Sequence, residues 1–366
     1  MMKKLVLIIV FISLFAIPVC AESPYSEQFD KSGANKIYSF ANDETKAIID
    51  RLDLDISSPE WVSSLTPKSV FGEVVTLLKE GAKTPLKCAA AALAVILLTA
   101  AASTFDILRP GADTVQYVFL LTISATFVIP LFSVISVCVS AIKSVSSLML
   151  GFIPIYAGLL VASGQPAVAT GANFLLLGAA NAVGGIGSLV ISPLMSCHLG
   201  SSLAGSLVPS IGTARVGESI KKISMWVLSL VTTVFVGILS AQTALNRAAD
   251  GVGMKAARFM IGSFVPTVGG ALSESLTTLI GSIKLLKTSA VIFAAVVIFL
   301  TVLPITIEIL IWRATVFVLM AAGELLGVGR CLEILRAADC VLSVLMGLLL
   351  FLGALFIISL AIISGG

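Results

Sequence analysis

The chain has 366 residues, 58% of them hydrophobic and 12% charged, with a formal net charge of +3. A soluble globule keeps its apolar share nearer ~45–50%, so this composition is that of a membrane protein. The small, dispersed charge offers no footprint for nucleic acid, and one histidine with six singly scattered cysteines leaves no metal-ligand spacing and no disulfide framework.

The first 21 residues carry Lys3 and Lys4, an apolar run from Leu5 to Ile17, and small residues ending in Cys20-Ala21. This pattern predicts a signal peptide over 1–21, cleaved after Ala21. Lipidation at Cys20 and a retained anchor are the alternatives. Residues 22–85 then turn polar, with eleven acids against seven bases, and lie outside the cytoplasm if the signal is processed. Ile48, Ile49, Leu52 and Ile56 recur at helical spacing, and a second short helical pattern covers Val70 to Leu78. Such a segment docks a partner, lies on the membrane, or is a solvated arm with two surface helices.

From residue 86 to 366 apolar runs follow one another. The candidate spans are Leu86–Phe105, Val115–Ala141, Val145–Ser163, Gly171–Met195, Ile223–Ala241, Ala290–Trp312 and Cys340–Ser364. Two stretches stay open: Ala314–Leu326 as half of a hairpin, and Leu194–Val208 as a re-entrant element or an extension of the preceding span. The expected fold is an all-α polytopic transmembrane bundle of about seven or eight spans behind a short extracytoplasmic helical segment. Basic residues in short loops are retained in the cytoplasm. Counting crossings from an outside N-terminus puts Arg247, Lys255 and Arg258 inside, but a true crossing at Leu194–Val208 would reverse this.

Residues 242–287 combine charge with amphipathic periodicity. Ala241, Leu245, Ala248, Val252, Ala256 and Phe259 share one helical face, and Arg247, Asp250, Lys255 and Arg258 gather on the opposite one. A second pattern runs from Leu272 to Leu286. Between them Pro266-Thr267-Val268-Gly269-Gly270 supplies turn chemistry, so an amphipathic helical hairpin is expected, with Arg247, Asp250, Lys255 and Arg258 as its candidate partner-contact face. The neighbouring spans run into it at both ends, which favours protein contact over lipid contact for that face.

Small residues concentrate at Gly178, Gly184 and Gly187 around Asn181. In lipid they let helices approach closely, and the Asn181 amide is placed to bond across helices. A broken helix that binds substrate is the alternative. Charges within apolar runs each cost ~2.5–3.5 kcal/mol at mid-bilayer, so Glu308, Arg313 and Glu324 need partners, and a cluster of the three at the top of a hairpin is the expectation. No phosphate-binding lysine loop, HExxH or paired intramembrane aspartates occur in the sequence, so neither catalysis nor a cofactor is expected.

In the second half, Ser240-Ala241-Gln242, Ala249-Asp250-Gly251-Val252, Met254-Lys255-Ala256-Ala257-Arg258-Phe259, Gly262-Ser263-Phe264-Val265-Pro266, Val268-Gly269 and Cys331-Leu332-Glu333 resemble the stage III sporulation protein AE family. The resemblance is specific from about Thr213 to Leu345 and architectural before that. It implies a multi-pass subunit in the mother-cell membrane around the forespore, part of a channel or secretion-like complex required for forespore development. Its implied partners are other stage III sporulation proteins, including a secretion-type ATPase, and a forespore membrane partner across the gap. A permease-like carrier of small solutes and a purely structural scaffold are the rival readings. Whether the chain also forms a homo-oligomer stays open.

Overall fold

Apolar stretches of this length leave the backbone one way to satisfy its N–H and C=O groups in hydrocarbon without an edge, which is the α-helix. The computed structural model describes residues 33, 36–54, 61, 65–104, 112–207, 214–264 and 269–364, and no strand occurs among the described residues. The expected signal peptide at 1–21 and the turn residues 265–268 lie outside them.

Two short helices come first: α1 (Asp43–Arg51) and α2 (Pro67–Gly81). Each start is fixed locally, because the Asn42 side chain accepts from Thr45 N and the Thr66 hydroxyl accepts from Ser69 N, with Pro67 at the first position of α2. The long helices follow. They are α3 (Lys83–Thr104), α4 (Ala112–Ile123), α5 (Ile129–Ala162), α6 (Pro166–Ile186), α7 (Ser192–Leu207), α8 (Ala214–Phe264), α9 (Gly269–Leu325) and α10 (Gly329–Ser364). Single π-helical turns, Ser124–Val128 and Gly187–Ile191, join α4 to α5 and α6 to α7 without a break.

Among the described residues, six helical stretches are long and apolar enough to cross a membrane: Lys83–Ala102, Tyr117–Ala162, Pro166–Ala204, Lys222–Ala256, Ile283–Leu325 and Cys331–Ser364. The number is close to the expected seven or eight: two expected spans fuse, and the two open stretches continue helices already counted. No Gly or Pro separates Ala141 from Val145, and Lys143 is exposed on the helix surface, so two expected spans form one rod. Of the open stretch Leu194–Val208, the described part to Leu207 is the continuation of α6 through α7. Ala314–Leu326 is the continuation of α9.

The centre of the bundle is the antiparallel pair α9 and α10, whose most apolar windows are each 72% buried by protein. A turn at Gly327, with φ +71, connects them, and Val328 N returns to Gly323 O at 3.0 Å. A Cβ on Gly323 would lie 3.0 Å from Leu332 Cδ2, so the pair is closest just before this turn. Around it pack α5, α3 and α8, while α6 and α8 pack against one another on the outside.

The polar N-terminal segment docks onto this centre. Thr45 Oγ1 donates to Thr301 Oγ1 at 3.0 Å, and Trp61 Nε1 donates to Ser289 Oγ at 3.0 Å while its ring meets Phe293 edge-on at 5.3 Å. Gly81 rests on Ile311, and a Cβ on Gly151 would stand 2.6 Å from the Phe40 ring. The segment therefore lines α9 from Ser289 to Ile311, about 33 Å at 1.5 Å per residue. Ile37, Ile48, Ile49 and Trp61 join the core as a result.

One ion pair ties α1 to α2. Glu73, 7% exposed, accepts from Arg51, which is 45% exposed, and the hydrogen bond to Glu73 raises the Arg51 pKa further. Arg51 thus stays charged at any accessible pH. Replacing Arg51 with Ala leaves the Glu73 carboxylate buried and unpaired. The expected loss is about 1–2 kcal/mol, between the exposed and the buried cases, read by denaturant titration of the detergent-solubilised chain.

Candidate functional site

On α8, Gln242, Asn246, Asp250 and Met254 recur every fourth residue and form one inward stripe. It lies along the start of α6. A Cβ added to Gly171 would stand 2.3 Å from Asn246 Nδ2 and 2.9 Å from Gln242 Nε2, so the amide ends of both side chains rest on this glycine.

The turn between α5 and α6 sits under the same stripe. It closes through Ser163 N to Leu159 O at 2.9 Å and Gln165 N to Leu160 O at 2.9 Å, with Gly164 at φ +82. A Cβ on Gly164 would collide with Met254 Cε at 1.8 Å, so the position needs glycine for its backbone and for its neighbour. One residue later α6 begins at Pro166 with unpaired N–H groups. Asp250, buried, accepts from Ala167 N at 2.9 Å and Val168 N at 3.0 Å and so caps α6 from another helix.

Arg247, one turn before Asp250, does the complementary work at α10. Its Nη2 donates to the carbonyls of Ile362 and Ile363 at 2.5 and 3.1 Å, where the last carbonyls of that helix have no partner of their own. A carboxylate thus meets the positive end of one helix dipole and a guanidinium the negative end of another. Lys287 of α9, only 1% exposed, completes the layer by donating to Gln165 Oε1 at 3.2 Å. Five helices meet here.

The expected partner face of the hairpin is turned over by this arrangement. Arg247 and Asp250 point into the bundle, whereas Leu245, Val252 and Phe259 on the apolar face are 73%, 70% and 75% exposed. The reason is the solvent: in lipid the apolar face belongs outside and the charges must find partners within. Lys255 is exposed, and of Arg258 only the helical backbone is described. The hairpin arms are also not separate helices, since α8 and α9 each run unbroken from the apolar spans through the amphipathic stretches.

The small-residue run behaves unevenly. Gly184 faces α5, where its Cβ would lie 3.3 Å from Ser146 Oγ, but the space at Gly178 is open, and of Gly187 only the backbone is described. Asn181 is exposed and donates to Leu177 O of its own helix at 2.9 Å, not across helices. The glycine at a tight helix contact is Gly171, outside the run.

The expected cluster of Glu308, Arg313 and Glu324 does not form. Because α9 continues to Leu325, Glu308 and Glu324 are separated by 16 residues of one helix, about 24 Å. Arg313 Nε instead donates to Asp339 Oδ1 of α10 at 2.9 Å, and Glu324 pairs with Arg336 at 3.5 Å. Asp339 and Arg336 escaped the sequence reading because their pairing requires the turn at Gly327, not at Arg313. His198 is buried in α7. Among the described residues no group of three or more His, Cys, Asp or Glu is placed to hold a metal.

The model of the stage III sporulation protein AE family matches residues 46–366. This chain belongs to that family. The match begins in α1, well before Thr213, so the docked polar segment is part of the family's fold. A curated member, stage III sporulation protein AE of Bacillus subtilis (strain 168), is 25% identical over 171 residues, 46% of this chain and 43% of the relative, so the match spans less than half the length of either. No solved structure matches. Membership implies a role in sporulation for this membrane protein.

Asp250→Ala removes the only cap on Ala167 and Val168 supplied by another helix. It is expected to cost about 1–2 kcal/mol, with Asp250→Asn recovering about half, as measured by SDS or urea titration of the purified chain.

Proposed function

We propose that this chain is a non-catalytic subunit of a channel or secretion-like complex between mother cell and forespore, seated in the mother-cell membrane. The observation that carries the reading is the reach of two helices. At 1.5 Å per residue α8 and α9, with 51 and 57 residues, are about 76 and 86 Å long, against a hydrocarbon core of ~30 Å. Rods of this length exceed the hydrocarbon core, and the part of each beyond it is within reach of other proteins.

Other stage III sporulation proteins, a secretion-type ATPase among them, and a forespore membrane partner are the proposed contacts. Lys255, exposed beyond the inward layer, is the charge of the expected partner face that is free to meet them, and Arg258 follows it in the sequence. Arg247 is committed to the end of α10, so its loss would unfold the layer and report nothing about partners.

The test is a Lys255→Glu, Arg258→Glu double variant expressed in place of the native chain. Membrane insertion and level are expected to be unchanged while heat-resistant spores fall by at least about tenfold as the charge reversal weakens the partner contact. Normal spore counts would remove the partner role from this segment. Transport of a metabolite by the purified chain alone in liposomes would decide for the permease reading instead.

A further inference from the structure

We propose that the outer face of the docked α1–α2 segment is wetted at bilayer depth, as one wall of a water-filled space that other subunits close; this rests on the channel-subunit reading and says what the chain turns toward the lumen. Contacts along α9 fix the depth. Lys287 meets Gln165 at the turn before α6, and Thr301, 14 residues on, meets Thr45 of α1. At 1.5 Å per residue Thr45 lies about 21 Å from the level of that turn. Gly151 of α5, 14 residues before Gln165, packs against the Phe40 ring and gives the same height. On α6, Gly178 is 13 residues past Gln165, about 20 Å from the turn. The segment and the middle of α6 therefore share one depth on different sides of the bundle, since the segment packs on α9 and α5, and α6 on α5 and α8.

The two sides need different surroundings. No Asp, Glu, Lys, Arg or His occurs between Lys143 and His198, a stretch that holds the second half of α5 and all of α6. α6 is about 31 Å long, the thickness of a hydrocarbon core of ~30 Å, and Phe174 on it is 79% exposed. That side suits lipid. The segment instead exposes Asp43, Glu44, Asp50, Lys68, Lys79 and Glu80. The Asp43 side chain is fully open at 105%, even with Lys46 Nζ at 3.6 Å.

Hydrocarbon does not fill the space in front of such a face. Ionisable side chains at membrane depth face the bundle interior or a water-filled cavity, and these six are exposed on the outside of the chain. Asp43 and Glu44 adjoin Thr45, so they stand about 10 Å inside the nearer edge of a ~30 Å core that starts at the turn. Long Lys and Arg stems snorkel over such distances, and short carboxylates do not. A dry protein contact would need a matched counter-charge for each outward group, whereas water satisfies all of them at once. Water on the segment and lipid on α6 let both sides of the bundle keep the same height.

The test uses the full chain in membranes of sporulating cells, where its partners are present. The native cysteines are replaced and one cysteine is introduced as Ala47→Cys on α1, Gly72→Cys on α2, or Phe174→Cys or Gly178→Cys on α6. All four positions are exposed, and a Cβ at Gly72 or Gly178 meets nothing within 4 Å. The probe is a charged, membrane-impermeant maleimide supplied to both faces of sheared membranes, and full labelling after denaturation in SDS shows that each thiol is intact. The thiolate is the reacting form and lipid disfavours it, so Ala47→Cys and Gly72→Cys are expected to label about a hundredfold faster than the two α6 positions. Comparable rates at all four would put this half of the bundle outside the bilayer on every side, and labelling at none would mean that protein covers the segment. Either result overturns the proposal. Labelling is read apart from spore counts: a shielded segment in cells that still depend on Lys255 and Arg258 would refute the wetted wall and leave the channel-subunit reading standing.

Discussion

The bundle depends on how two buried charges on one helix are neutralised. Asp250 and Arg247 sit one turn apart on α8, and neither finds an oppositely charged side chain as its principal partner. Asp250 meets two backbone N–H groups at the start of α6, and Arg247 meets two carbonyls at the end of α10. Helix ends carry about half an elementary charge each, so these contacts do in lipid what ion pairs do elsewhere and satisfy backbone groups that hydrocarbon would leave orphaned. The glycines at 164 and 171 follow from this, because the cap forms only if α8 comes within contact of the turn and of α6. Lys287 belongs to the same layer through Gln165, the residue just before α6.

A second constraint is that apolar composition has two different destinations. The windows in α9 and α10 are the most hydrophobic among the described residues, and 72% of each is buried against protein; the window in α8 is less apolar, still enough to cross a membrane, and 6% buried. Hydropathy measures reluctance to meet water, and both a neighbouring helix and a lipid tail relieve it. The docked N-terminal segment shows the consequence, since helices with charged outer faces line the stretch of α9 from Ser289 to Ile311 that hydropathy alone assigns to lipid.

The α9–α10 hairpin shows the same dependence on where a helix turns. Arg313 and Glu324 are paired with Asp339 and Arg336 because the chain reverses at Gly327, with φ +71, and each pair then bridges two antiparallel rods. Had the reversal come at Arg313, neither pair would have formed. A shift of about 14 residues in one turn separates the two outcomes, and nothing in the apolar run between them forces the choice.

The sequence by itself determined the all-helical membrane architecture and the membership read from residues such as Ala249-Asp250-Gly251-Val252. Both rest on apolar length and residue order. The amphipathic character of 242–259 was legible too, but which face turns inward was not, because periodicity gives the angle between two faces and is silent about the solvent outside. The same limit hid the Asp250 and Arg247 contacts. Their partners are backbone atoms 82 to 116 residues away, which have no side-chain signature and become acceptors or donors only because helix ends from distant parts of the chain are brought to one layer.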